Sequence, residues 1–157
     1  MRKRVISTAQ RQAGPPREDW LNLEDMVKVE ITSELATHPI EDALLEGAGS
    51  GWHAEHPGEQ TIRLFFDRPQ RLSRIRLLFE EPEFERTQEF ALRWSPDGGR
   101  SFREIVRQQW NFSPPGTTRE LEDYRVELAD VTVLELSITP DKGGGEARAS
   151  LSQMRLA

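Results

Sequence analysis

The sequence predicts an all-β protein, an antiparallel β-sandwich of jelly-roll type with one short helix. Three observations carry this. Phe90, Leu92 and Trp94 alternate with Ala91, Arg93 and Ser95, the period-2 pattern of a strand with one buried face. Ser95-Pro96-Asp97-Gly98-Gly99 then reverses the chain into a second strand at Phe102–Val106, because Pro presets one backbone angle, Asp bonds its own backbone and Gly supplies positive φ. Short apolar alternations separated by Pro, Gly and Asp recur along the rest of the chain, with little helical periodicity between them.

Residues 1–17 read as a basic leader ending near Gly14-Pro15-Pro16, and residues 18–157 as the folded domain. Trp20, Leu21 and Leu23 are expected to pack on that domain. Val27, Val29 and Ile31 alternate with Lys28, Glu30 and Thr32 and form the first strand. His38-Pro39-Ile40-Glu41-Asp42-Ala43-Leu44-Leu45-Glu46-Gly47 predicts one or two turns of helix: Pro39 suits the first helical position, the acids complement the dipole, and Gly47 closes the end. Ala48-Gly49-Ser50-Gly51 makes a loop before Trp52. Further strands are expected at Gln60–Phe66, Arg74–Phe79, Phe90–Ser95, Phe102–Val106, Tyr124–Leu128, Val133–Ile138 and Leu151–Leu156, broken by Arg68-Pro69, by Asp97-Gly98-Gly99, by Pro114-Pro115-Gly116 and by the Gly run at 143–145.

A chain of 157 residues is long enough for one domain with a core that needs no covalent staples, and the absence of cysteine removes disulfides and thiolate metal sites. The basic N-terminus lacks an apolar run long enough for a signal peptide, and no segment approaches the roughly 18 apolar residues of a membrane span. A cytoplasmic location is the expectation. The net charge of −6 divides unevenly: Arg2, Lys3, Arg4, Arg11 and Arg17 give the leader +5, which leaves −11 on the remainder. Such a body repels phosphate backbones, so nucleic acid is not an expected partner.

Several segments in order resemble the coagulation factor type C (discoidin) domains and the wider galactose-binding-domain-like jelly rolls. They are Val29-Glu30-Ile31-Thr32-Ser33-Glu34, then Ala43-Leu44-Leu45-Glu46-Gly47 with Gly51-Trp52, then Thr61-Ile62-Arg63-Leu64-Phe65-Phe66-Asp67 with Pro69. The hairpin at 95–98, Leu134-Glu135-Leu136-Ser137-Ile138-Thr139-Pro140 and the closing 149–156 complete the likeness, which spans about residues 27–157. The resemblance implies a sandwich whose ligand loops cluster at one end, here about 33–41, 47–58 and 80–88. It also implies a structural calcium held by loop carbonyls and carboxylates, commonly with a Glu in the last strand. Here Gln153 stands in that place and Glu46-Gly47 replaces an Asp-Gly, so no cofactor is expected. The fucose-binding branch has a spaced His, Arg, Asp and Arg signature. His38 and Arg63 match its start, but Phe65 occupies the Asp position, so fucose specificity does not carry over.

Sugar sites need a flat apolar ring to stack on C–H faces, together with planar polar groups for paired hydrogen bonds to hydroxyls. Trp52 is the expected platform, with His53, His56 and Arg86 as hydrogen-bonding partners; the alternative is that Trp52 plugs the end of the core. His53-x-x-His56 with Glu55 has metal-capable groups, but converging an i,i+3 pair needs a helical turn that the flanking Gly and Pro oppose, so no metal is expected. The acidic run from Phe79 to Arg86 is expected to be a solvated loop with Phe84 tucked inward. Trp110 and Phe112 beside Pro114-Pro115-Gly116 are expected in the core at a strand end.

No catalytic signature stands out. Ser50 lacks the flanking glycines of a nucleophile elbow, and Gly143-Gly144-Gly145 opens no helix for a phosphate. The expectation is a non-catalytic binding module for a carbohydrate or glycoconjugate. The alternative is a cytoplasmic protein–protein adaptor with a protein ligand at the same loops or at the Trp110–Gly116 edge. Oligomeric state is left open.

Overall fold

The computed structural model describes residues 20–47 and 49–157. The basic leader at 1–17 therefore lies outside the described residues. Among the described residues a 3-10 turn at Leu23–Asp25, one α-helical turn and eight strands make up the body: β1 Val27–Ile31, α1 Glu41–Leu44, β2 Trp52–His53, β3 Gln60–Glu80, β4 Arg86–Ser95, β5 Arg103–Phe112, β6 Arg119–Thr139, β7 Ser150–Leu151 and β8 Gln153–Leu156. Every strand pairing among them is antiparallel.

The two long strands, β3 and β6, build both layers. The first part of β3 pairs with β1 and with residues 133–138 of β6; β6 in turn pairs with β4, and β4 with β5 at the edge. The last part of β3 pairs with β8 and with residues 119–125 of β6. Between these parts the register shifts three times, from Phe65 to Arg74. Such irregularities bend and twist a strand pair, which lets one pair pass from one layer to the other. The sequence reads Arg68-Pro69 as a break between two strands. Pro69 has no N–H to donate, and the chain stays extended through it, so the break is a bend inside one strand. In β6 the corresponding bend carries Asp130 at φ 58, a left-handed conformation that a short polar side chain tolerates.

Inner faces follow the alternation. Ile62, Leu64, Ile75, Leu77, Phe90, Leu92, Leu134, Leu136 and Ile138 are all at or below 1 % exposure and belong to one core. Phe79 of one layer stacks on Phe90 of the other with centroids 5.2 Å apart. Phe112 is fully buried, whereas Trp110 is only partly covered against the core. The Pro114–Pro115 peptide bond just after them is cis.

The β4–β5 hairpin forms as the sequence predicts, with both strands longer than expected. Asp97 organises its turn: Oδ1 accepts from Ser95 Oγ at 2.6 Å and from Ser101 N at 2.9 Å, and Oδ2 accepts from Ser101 Oγ at 2.6 Å. Gly98 and Gly99 take φ of 76° and 95°, which is where the turn needs glycine. The helix is a single turn, since Leu45 is already extended. Its start is held by Glu34, whose carboxylate accepts from Ile40 N at 2.9 Å. The predicted last strand is split at Ser152: β7 pairs with β2, and β8 pairs with β3. Trp52–His53, read as loop, is the short strand β2.

Candidate functional site

Four segments meet at one end of the sandwich, and backbone hydrogen bonds knit them together. Leu35 N donates to His53 O at 2.9 Å, and His53 N donates to His38 O at 3.1 Å. Ala54 N donates to Ala149 O at 2.9 Å, and Gly58 N to Ala147 O at 3.1 Å. Ser33 Oγ accepts from Glu55 N at 3.1 Å. Arg86 connects the remaining segments: its Nη1 donates to Arg148 O at 2.8 Å, and its Nε lies 3.2 Å from Glu81 Oε1. Glu81 turns the following loop by accepting from Glu83 N at 3.1 Å and Phe84 N at 3.4 Å.

Two of the four predicted ligand residues prove to be scaffold. Trp52 is 0 % exposed and its Nε1 donates to Ser33 O at 3.0 Å, so the ring plugs the end of the core and presents no face to a ligand. The pattern alone could not show this, because a loop Trp after glycine suits either role; pairing of β2 with β7 turns the ring inward. The Arg86 side chain is 3 % exposed, with its charge spent on Glu81 and its donor on Arg148 O. Burial lowers its pKa, opposed by Glu81 and Asp141, so the guanidinium acts as an internal tie between loops.

His53 and His56 are accessible. His56 is exposed, its Nε2 4.0 Å from Glu55. His53 is half-buried, its ring 4.2 Å from that of His38 and tilted by 39°. Ser50 Oγ lies 2.8 Å from His38 Nδ1. Burial lowers the His53 pKa, the neighbouring His38 and Arg86 lower it further, and Glu81 opposes them. His53 is therefore neutral at pH 7, with one ring nitrogen a donor and the other an acceptor. Arg86 thus lies close enough to His53 to disfavour its charged form, although its own side chain is buried.

Phe84 overturns another expectation. It is 66 % exposed, standing out between Glu83 and Glu85 instead of tucking inward, because Glu81 holds the backbone of the loop on its outer side. The composition of the run gives no signal for this, since an aromatic in an acidic loop is normally the residue that folds away. Sequence reasoning named His38 only for its spacing to Arg63. Arg63 is engaged on the outer sheet face, 2.6 Å from the buried Glu135.

Among the described residues no three His, Asp or Glu side chains converge as a metal site. The calcium implied by the resemblance does not fit these residues. Arg155 Nη1 donates to Ala43 O at 2.8 Å, and Nη2 to Leu45 O at 3.4 Å, so a fixed cation already occupies the carbonyls at the end of α1. Gln153 of the last strand is exposed and neutral. Among the described residues no helix is long and apolar enough to cross a membrane.

No protein-family model matches the chain, and a search of curated proteins finds no match. Solved structures do match in shape. CpGH89CBM32-5 from Clostridium perfringens, in complex with GalNAc-β-1,3-galactose, superposes with a TM-score of 0.64 at 19% identity, over 88% of this chain and 99% of that one. The CBM32 of AlyQ, in complex with 4,5-unsaturated mannuronic acid, gives 0.62 at 15% identity, over 85% of this chain and 95% of that one. The C-terminal domain of a chitobiase from Bacteroides fragilis gives 0.62 at 19% identity, over 88% and 97%. The chain has the galactose-binding-like β-sandwich fold of the family 32 carbohydrate-binding modules.

Proposed function

We propose that this protein is a non-catalytic module that binds carbohydrate reversibly at the loop end. The observation that carries the reading is the juxtaposition there of the neutral His53, its ring in tilted contact with that of His38, with the loop that projects the exposed ring of Phe84. Neutral imidazoles supply donor and acceptor to vicinal hydroxyls, and an exposed phenyl ring offers the apolar face that C–H groups stack on. Trp52 and Arg86 hold the walls, and His56 stands at the margin. The fold supports the reading, since the neighbours of this shape include complexes with sugars. Few polar groups converge, so affinity for a single sugar is low and rises with chain length.

Those neighbours carry both a neutral disaccharide and a uronic acid, so the fold does not set the ligand's charge. The rim of this chain does. Glu55, Glu83 and Glu85 are exposed around the site, and the charge beneath, on Arg86, is already paired. The ligand is a saccharide without carboxylate or sulfate groups, because an acidic rim repels them.

A glycan array with the full chain tests this, with neutral, uronate and sulfated oligosaccharides side by side. The expected result is competable binding to a neutral class that Phe84→Ala abolishes while the variant stays folded. Selective binding of uronates refutes the charge argument but keeps the carbohydrate reading. A blank array refutes the carbohydrate reading and favours a protein ligand at the same loops.

A further inference from the structure

Directly beneath the loop end lies a polar cluster that the proposed ligand does not touch. Glu120 begins the inner face of β6 and is 0 % exposed. Its register partner on β3 is the buried Phe79, and across the sandwich it meets the fully buried Gln88 of β4, whose Nε2 donates to Glu120 Oε1 at 3.1 Å. Glu122 and Tyr124 follow on the same face of β6, two residues apart as strand periodicity requires, and Tyr124 O–H donates to Glu122 Oε2 at 3.0 Å. Trp110 of β5 is the register partner of Gln88.

Three polar atoms of this cluster are buried without a hydrogen bond: Glu120 Oε2, Gln88 Oε1 and Trp110 Nε1. The neighbour of Glu120 on the same face of β6 is a second carboxylate, Glu122, so Glu120 Oε2 gains a partner there only if a proton is added. Buried polar atoms are nearly always satisfied, and two ionised carboxylates cannot satisfy each other. Among the described residues no cation does so either. On β3 the facing residues are Phe79 and Leu77; on β4 they are Gln88 and, one position beyond it, Arg86, whose charge goes to Glu81; on β5 the facing residue is Trp110.

We propose that Glu120 and Glu122 share one proton in the native protein at neutral pH, forming a brace under the loop end. The proton resides on Glu120 Oε2 and is donated to Glu122. Glu122 stays ionised and accepts from Tyr124 as well, and Gln88 donates to the remaining Glu120 oxygen. Burial is the main reason the proton is retained, and Glu122 adds to it; together they push the Glu120 carboxyl up to about 8. The same negative neighbours raise the Tyr124 phenol behind its burial. Gln88 is two residues from Arg86 on the same face of β4, so the brace backs the residue that ties Glu81 to Arg148.

The sign of the linkage follows. The native state holds a proton that the unfolded chain releases near the ordinary Glu value of 4.5, so stability falls as pH rises between 4.5 and about 8 and is level above that. The test is a carbon-detected NMR titration of the Glu120 side-chain carboxyl in the full chain, with urea unfolding at pH 5, 7 and 9. The expected result is a Glu120 midpoint well above that of the exposed glutamates, moved down in Glu122→Gln. Wild-type urea midpoints decline with pH, whereas those of Glu120→Gln, an isosteric mimic of the protonated acid, do not. A Glu120 midpoint near 4.5 overturns the proposal. A raised midpoint indifferent to Glu122→Gln also overturns it, because burial alone would then hold the proton.

Discussion

Trp52 offers the sharpest test of how this end of the molecule is built. Its indole is fully buried, and its Nε1 donates to the carbonyl of Ser33, itself 9 % exposed. Trp52→Ala removes the largest side chain of the plug, and truncations of this kind cost about 3–5 kcal/mol. That is a large share of the roughly 5–15 kcal/mol that holds a domain together, so the variant should unfold many degrees earlier. Trp52→Phe isolates the polar part. It keeps most of the apolar volume but leaves the Ser33 carbonyl without its donor, a loss of about 1–3 kcal/mol. Urea unfolding followed by far-ultraviolet circular dichroism measures both, and carbohydrate binding is then compared between wild type and the folded Trp52→Phe. The reasoning predicts a lower midpoint with binding retained. An unchanged midpoint with binding lost would mean that the indole faces ligand, and the plug assignment would fail.

Two further predictions follow from the same geometry. Asp97 is held well below the ordinary carboxylate range by the Ser101 and Ser95 hydroxyls and the Ser101 backbone N–H. A carboxylate depressed in the native state lends stability above its unfolded value of about 3.8 and loses it as pH falls below that, so Asp97→Asn should flatten the acid limb of a stability–pH curve; an acid limb identical to wild type would show that the turn does not depend on the charge. Arg155→Gln removes the guanidinium from the Ala43 and Leu45 carbonyls, and hydrogen bonds of that charged kind are worth about 1.5–3 kcal/mol. Millimolar calcium should leave the melting temperature of the wild type where it is, and a calcium-dependent rise would refute the reading of Arg155 as the cation of that loop.

The strand alternation around Phe90–Trp94, the Asp97 turn and the apolar runs in β3 and β6 were legible because each depends on neighbours in sequence. Side-chain period and turn chemistry are local properties, and they specify a sandwich without any knowledge of what lies across it. The merging of four predicted strands into β3 and β6 was not legible, since Pro69 forbids one hydrogen bond but not an extended chain, and only the partner strand shows which bond is missing. The expectation that the loops gather at one end came from the family resemblance; the roles of residues within them did not follow from it. Trp52 and Arg86 have the residue types of a sugar site, yet the pairing of β2 with β7 and the carbonyl of Arg148 turn them into wall and tie. Phe84 is exposed through the hold of Glu81 on its backbone, and His38 meets the ring of His53, contacts 3 and 15 positions away. The proton proposed at Glu120 depends on a buried face that only closure of the two layers creates, and it is held against the opposing hydrogen bond from Gln88, 32 residues distant. Sequence thus determined the elements and the sandwich, because those arise from local periodicity. Tertiary structure decided exposure and protonation, because both depend on what the rest of the chain removes from water.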